Sequence, residues 1–397
     1  MTSGHAGAGV VVPDRPEGRP GIGRIVAVAT TWQVLGVVAW VLSPAGQFLN
    51  AALCGSLALC LFVEPALGRL GRTLLFGLGF ALLWAANHPG LIGEAFRQPD
   101  LIGALLGLGG LAESALHPPK ERIATVASFG IPFSATLAAL VLIPMGSGSP
   151  MTQDAILLEA DRAFGGLPSY AMGTFLAAHP LLATLAWLTY KSLPLEVAVV
   201  VLVAVRRALP EMRPGPILSA CALAALLGIA AYWTCPATGP HYAFPGFPTV
   251  RPDPLPLTRV AVSPEFPRNA MPSLHFAWAW LLWRAARPLR WLRYVTLVCL
   301  IGVAVATLGF GEHYVVDLLV AVPFAVAVEA AVAGTGWVRV AAGLLATTAW
   351  LLLFRAGDAL SQPVAWAGLV GTLAISLWVA PRHPFAARPA AGVEPGK

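Results

Sequence analysis

Long apolar runs dominate this sequence and constrain its fold more than any other feature. Most of them approach the ~20 residues that a helix needs to cross the hydrocarbon layer of a membrane. The chain is 57% hydrophobic and 11% charged, whereas soluble domains are about 25% charged. These values exclude a water-soluble globular domain and a disordered chain, and a β-barrel would show short alternating segments instead. We therefore predict an all-α, polytopic helical membrane protein.

About twelve transmembrane helices are predicted, because proline and glycine interrupt the apolar pattern at most junctions. The predicted spans are 25–43, 46–67, 73–88, 101–116, 122–146, 179–208, 216–235, 272–286, 291–311, 314–333, 337–354 and 363–380. The predicted organisation is a flexible cytoplasmic arm (1–24), accessory helices (25–121), a six-helix catalytic core (122–333), closing helices (334–381) and a cytoplasmic tail (382–397).

The basic residues predict the orientation of the chain, because short loops rich in Lys and Arg stay in the cytoplasm. With the amino terminus inside, 18 of the 25 Lys and Arg residues fall on the cytoplasmic side. Segments 147–178 and 236–270 then lie on the outer face. Residues 152–166 are amphipathic and predict a helix in the membrane interface, and segment 236–270 is long enough for a lid or a substrate-binding loop.

The abundance of Arg, Ala and Gly is typical of a GC-rich bacterial genome, so we expect a bacterial plasma membrane protein.

Charged residues interrupt the apolar segment 179–208, which contains Lys191, Pro194 and Glu196. We interpret it as one long, kinked helix. Ionisable side chains at such a depth usually face a bundle interior or a watery cavity. Lys191 and Glu196 are expected to neutralise each other, and contact of Lys191 with a substrate is the alternative.

Two histidines are predicted to meet on the outer face. His275 begins the span 272–286, and His313 follows the span 291–311, so the chain crosses inward after the first and returns before the second. Asp317 lies four residues after His313, which is one helical turn along the same face. A buried carboxylate in that position orients an imidazole and stabilises its positive charge, as in a catalytic triad.

This arrangement favours nucleophilic catalysis at phosphorus. His313 is predicted to be the nucleophile, Asp317 its orienting partner, and His275 the general acid and later the general base. Two histidines and one carboxylate without cysteine argue against a zinc site, although such a set could bind a metal. Nucleophilic catalysis fits the set better, and no metal or other cofactor is expected. Positive charge and N–H donors are needed around the phosphate oxygens, and carboxylates can accept bonds from sugar hydroxyls. The predicted substrate-binding residues are Arg268, Ser273, His241, Tyr242, Arg251, Asn269, Asp161 and Lys191.

The strings MPSLHFAWA (271–279) and GEHYVVDLLVA (311–321) resemble the second and third motifs of the type 2 phosphatidic acid phosphatase superfamily. Within it, they are most similar to the branch of the inositol-phosphorylceramide synthases. The resemblance covers roughly residues 122–333 and implies a six-helix core, a metal-free site and a phosphohistidine on His313. The phosphatases have Ser-Arg where this chain has Ala306 and Thr307, and their first motif is not met near 239–241.

The resemblance implies a membrane phosphotransferase that moves a phosphorylated headgroup, such as inositol phosphate from phosphatidylinositol, to a lipid or glycan hydroxyl. The expected partners are a phospholipid donor, that acceptor and the membrane, with no nucleic acid. A lipid phosphatase with the same site is the first alternative. The second is a twelve-helix transporter in which Lys191, Glu196 and Glu329 form a polar path.

Overall fold

The computed structural model describes residues 148–357, 361–382 and 384–385, together with 112, 145 and 146. The predicted arm 1–24 and almost all of the predicted helices within 25–146 lie outside these residues. Most of the predicted tail 382–397 does so as well.

Eleven α-helices and two short strands lie within the described residues. The helices are α1 Asp154–Ala163, α2 Pro168–Ala178, α3 Pro180–Lys191, α4 Leu193–Arg207, α5 Pro214–Thr234, α6 Pro240–Ala243, α7 Leu274–Ala285, α8 Arg290–Gly309, α9 Val315–Ala333, α10 Trp337–Ala356 and α11 Gln362–Val379. The strands β1 Met151–Thr152 and β2 Val260–Ala261 pair antiparallel, with Met151 opposite Ala261. Apart from this ribbon, the described fold is helical, as predicted.

Within the described part of the chain, five helices are long and apolar enough to cross a membrane: α5, α8, α9, α10 and α11. The pair α2 and α3 gives a sixth if it counts as one span. The two helices are bent by 119° at His179, the single residue between them. These helices support an integral membrane protein. The predicted number of twelve is not confirmed by the described residues.

Two predicted spans have different bounds in the structure. Segment 179–208 is not one helix, because α3 ends at Lys191 and α4 begins at Leu193 with a proline in its first turn. Proline has no N–H to donate to the preceding turn, so it favours the start of a new helix there. Segment 272–286 is the 12-residue helix α7, which begins at Leu274. The prediction that Lys191 and Glu196 neutralise each other is also wrong, since no salt bridge joins them in the part of the chain described.

Helix α9 is the centre of the described bundle. Every residue from Val316 to Ala330 is buried, and the helix packs against α5, α7, α10 and α11. Helix α8 packs on the other side of α7 and contacts α2 and α3. The amino-terminal ends of α7 and α9 therefore meet inside the bundle, which is where the two motif histidines are located.

A buried ion pair joins α7 to α9. The Arg284 Nε donates to both carboxylate oxygens of Glu329, at 3.1 and 3.0 Å, and the two side chains are 4% and 0% exposed. Such a pair leaves neither charge open to a passing solute. Glu329 therefore does not belong to an open polar path, which removes one of the three residues on which the transporter alternative depends.

Candidate active site

The structure brings the two motif histidines together. His275 lies in the first turn of α7, and His313 lies two residues before α9 begins. Their ring centroids are 6.4 Å apart, with an angle of 61° between the ring planes. The His275 ring also stacks on Tyr190 of α3, with the centroids 4.2 Å apart. A single small group can therefore contact both imidazoles.

The hydrogen bonds of His313 define which of its nitrogens can react. Its Nδ1 lies 2.9 Å from the carbonyl oxygen of Ala270 and 3.3 Å from Oδ2 of Asp317. A carbonyl oxygen only accepts, so we assign the proton to Nδ1, which leaves a lone pair on Nε2. Burial lowers the pKa of His313 to about 4. The imidazole is therefore neutral near pH 7, as a nucleophile has to be.

Asp317 connects the two motifs. Its Oδ2 also accepts a hydrogen bond from the backbone N–H of Tyr314, at 2.7 Å. Its own carbonyl oxygen accepts from the backbone N–H of Ser273, at 3.3 Å. The carboxylate predicted to orient His313 is thus fixed at the start of α9, and the same residue holds the start of α7 beside it.

Ser273 has a different role from the one predicted. Its Oγ accepts a hydrogen bond from the backbone N–H of Phe276 at 3.3 Å, which makes it the N-cap of α7. The side chain is fully buried. Pro272 precedes this cap and does not lie in the first turn of the helix. The hydroxyl therefore stabilises the helix that presents His275.

Arg268 also differs from the prediction, which placed it on the phosphate. It is 0% exposed, and its guanidinium donates to four backbone carbonyl oxygens at 2.8 to 3.0 Å. Those carbonyls belong to Ser149, Val262, Ser263 and Phe266. Because its charge is satisfied by these groups, the side chain closes the loop before α7 and is not directed at a substrate.

Asp161 was predicted to bind a substrate hydroxyl from a helix in the membrane interface, and this prediction is wrong. It is 1% exposed, and its two carboxylate oxygens accept from the backbone N–H groups of Val315 and Val316 at 3.0 and 3.2 Å. These N–H groups begin α9, where a helix attracts negative charge. Burial is the main cause that raises the pKa of Asp161, to about 8.

Asp154 stabilises the same region from the other end of α1. It is 0% exposed and accepts from the backbone N–H groups of Thr238 and Gly239 at 2.9 to 3.1 Å. It also accepts from the Tyr314 hydroxyl at 2.9 Å. Helix α1 is therefore a buried support for the segment around His313. Its acidic residues do not form the solvated face of an interface helix.

We expect Asp161→Ala to lower the free energy of unfolding by about 2–4 kcal/mol, because two N–H groups at the start of a buried helix lose their acceptor. Thermal unfolding of the protein in detergent measures this loss. Asp253→Ala is the matched control, since Asp253 is exposed in the loop before α7 and its replacement should leave stability unchanged. Equal stability of the two variants would contradict the capping role of Asp161.

The remaining predicted substrate-binding residues differ in their exposure and in their contacts. Lys191 is exposed, its Nζ is 5.5 Å from the centroid of the Tyr190 ring, and its charge acts on His275. The backbone N–H of His241 donates to the Gly311 carbonyl at 3.0 Å. Asn269 is partly buried, and Arg251 is exposed. Among the described residues, no hydrogen bond joins either side chain to the histidines.

Glu312 is a candidate that the sequence analysis did not select. It is half-buried, it directly precedes His313, and its Oε1 accepts from the Tyr242 hydroxyl at 3.0 Å. Its charge acts on both His313 and Lys191. The signal was an acidic residue next to the motif histidine in the string GEH, in a chain with few charges.

The described residues contain no group of three or more His, Cys, Asp or Glu side chains that could hold a metal ion. The chemistry available from the described side chains is that of two close imidazoles, one supported by a carboxylate, with Lys191 and Glu312 at the edge.

A family comparison agrees with this geometry. Residues 155–331 match the model of the PAP2 superfamily, and this segment contains both histidines and Asp317. No curated protein and no solved structure matches the chain. The match supports a place in that superfamily and an enzyme of the lipid phosphatase or phosphotransferase type. It does not distinguish the inositol-phosphorylceramide synthase branch.

Proposed function

We propose, from the match of residues 155–331 to the PAP2 superfamily, that this chain is an integral-membrane, metal-independent phosphotransferase. It moves a phosphorylated headgroup from a phospholipid donor to a lipid or glycan hydroxyl, and inositol phosphate from phosphatidylinositol is the donor group we favour. The single observation behind this proposal is the bonding of His313, whose Nδ1 contacts two acceptors and so leaves Nε2 free to attack.

The first half of the proposed reaction forms a phosphohistidine. His313 Nε2 attacks the phosphorus of the donor phosphodiester, and an N–P bond forms as the bond to the diacylglycerol oxygen breaks. His275 gives its proton to that oxygen. The imidazolium of His313 is positively charged during this step, and the carboxylate of Asp317 stabilises it.

The second half returns both histidines to their starting state. His275 takes the proton from the acceptor hydroxyl, whose oxygen attacks phosphorus as the N–P bond breaks. Burial, followed by the charges of His313 and Lys191, lowers the pKa of His275 to about 3. A bound anionic phosphodiester adds the opposite charge and favours the protonated form that the first half requires.

Lys191 is the cation that we propose for the phosphate oxygens. Arg268 is occupied by four carbonyl groups, whereas Lys191 is exposed and its charge reaches His275. An ammonium group in that position lowers the energy of the transition state, in which the negative charge is spread over the equatorial oxygens.

A lipid phosphatase is the second candidate, because the superfamily match fits it equally well. Water would then replace the acceptor hydroxyl in the second half. The proposed location of either enzyme is the bacterial plasma membrane, with the site on the extracytoplasmic face. The concentration of basic residues in the loops on the opposite side supports this orientation.

Product analysis tests the proposal. The purified full-length protein is incubated with phospholipids labelled in the headgroup, with and without lipid and glycan acceptors. We expect the label in a new headgroup-bearing product that requires the acceptor. Release of inorganic phosphate or of free headgroup phosphate, without such a product, would instead support the phosphatase. No change in any donor would refute both enzymatic readings.

A further inference from the structure

Glu312 and Tyr242 form a polar pair beside His313. The Tyr242 hydroxyl donates to Oε1 of Glu312 at 3.0 Å, and both side chains are half-buried. The backbone N–H of Glu312 donates to the Thr307 carbonyl at 3.0 Å, which holds the turn that carries it. Oε2 of Glu312 has no hydrogen-bond donor among the described residues, so this oxygen remains able to accept one.

The backbone around this pair is closely packed. Gly239 has a φ of +97°, and a Cβ at this position would lie 2.4 Å from the Glu312 carbonyl oxygen, so only glycine fits. The next turn, α6, bonds to the Gly311 carbonyl through the backbone N–H of His241 at 3.0 Å. The position of Tyr242 relative to Glu312 is therefore determined by the fold and does not depend on a ligand.

Several titratable side chains surround Glu312. Lys191 is close enough for its charge to act on Glu312. The other titratable neighbours on which Glu312 acts are Tyr190, Tyr242 and His313. Glu312 and Lys191 therefore lie together at this edge of the site, beside His313. The edge therefore presents one strong acceptor and one strong donor.

We propose that Glu312, Tyr242 and Lys191 form a subsite for the hydroxyl groups of a polyol. A hydroxyl group both donates and accepts, so it can donate to the Glu312 carboxylate while a neighbouring hydroxyl accepts from the Lys191 ammonium. A cationic headgroup, such as ethanolamine, can donate to Glu312 but offers no acceptor to Lys191, so it satisfies only half of the subsite. This inference rests on the proposed function, because the polyol belongs either to the headgroup of the donor or to the acceptor.

The subsite is tested by binding, which requires no turnover. Calorimetry on the full-length protein in detergent compares myo-inositol 1-phosphate, phosphoethanolamine and inorganic phosphate, for the wild type and for Glu312→Gln. Loss of a hydrogen bond to a charged group corresponds to roughly tenfold or more in Kd. We expect a weakening of this size for myo-inositol 1-phosphate, a smaller one for phosphoethanolamine, and less than about threefold for inorganic phosphate.

Two further variants make the test specific. Glu265→Gln is the matched control, since Glu265 is exposed in the same outer loop and its carboxylate bonds only to the Ser263 hydroxyl. It should leave all three affinities unchanged. Tyr242→Phe removes the donor that holds Glu312 and should weaken binding of myo-inositol 1-phosphate in the same direction, by a smaller factor of about two- to tenfold.

Three results would overturn the inference. These are equal weakening of all three ligands by Glu312→Gln, no weakening of any, and wild-type binding of phosphoethanolamine as tight as that of myo-inositol 1-phosphate. Selective binding without any lipid product would refute the proposed function and leave the subsite standing. Selective weakening by Glu312→Gln supports the subsite whether the polyol belongs to the donor headgroup or to the acceptor.

Discussion

His313→Ala is expected to reduce headgroup transfer by about 10⁴-fold or more, because the group that forms the covalent intermediate is removed. The wild-type protein, incubated with a donor labelled at phosphorus and quenched in alkali, should carry a label on His313 that the variant lacks. The assay therefore measures both the steady-state product and the trapped phosphohistidine.

The fold should survive this change. The His313 side chain bonds to Ala270 and Asp317, whereas the capping bond from Tyr314 to Asp317 does not involve its ring. Expression and thermal stability in detergent should therefore stay near the wild-type values. His179→Ala provides a control, since His179 is exposed at the junction of α2 and α3 and its loss should leave turnover unchanged. A His313→Ala protein that retains turnover would show that His313 is not the nucleophile.

Asp317→Asn is expected to reduce turnover by about 10²- to 10⁴-fold. Asparagine can still accept from the backbone N–H of Tyr314, so the start of α9 is preserved. It carries no negative charge, however, and cannot stabilise the imidazolium that forms as His313 attacks. The tautomer of His313 is also supported by the Ala270 carbonyl, which is the closer of its two acceptors at 2.9 Å. The loss should therefore come mainly from the missing charge.

Asp161→Asn is the matched control for this variant. Asp161 lies near the same end of α9 and is equally buried, but it bonds to Val315 and Val316 and not to His313. We expect it to lower stability, while turnover per folded molecule changes by less than about tenfold. If Asp317→Asn costs no more turnover than Asp161→Asn, the role of Asp317 is purely structural.

The sequence was sufficient to place the two histidines and Asp317 together. The parity of the membrane crossings puts His275 and His313 at the same end of the bundle, and the four-residue spacing puts Asp317 one turn from His313. Neither argument needs long-range contacts. The all-helical fold followed from hydropathy for the same reason, since the length of an apolar run is a local property.

The second layer of the site was not predictable in this way. Asp161 bonds to N–H groups 154 and 155 residues later in the chain, and Arg268 bonds to Ser149 across 119 residues. Judged from the neighbouring sequence alone, both side chains resemble exposed charges that could bind a substrate. The break between α3 and α4 was missed because both helices are apolar. The single residue between them does not change the hydropathy of the segment.

The four carbonyl groups that accept from Arg268 fix the end of the loop before α7. Two residues after Arg268, Ala270 accepts from His313, and its own N–H donates to Ala237 at 3.0 Å. Glu159 and Arg162 tether the middle of the same loop at Leu255 and Pro252. A segment tied at so many points is ordered during folding, so binding spends little free energy on ordering it. The loop is therefore too firmly held to swing open as a gate.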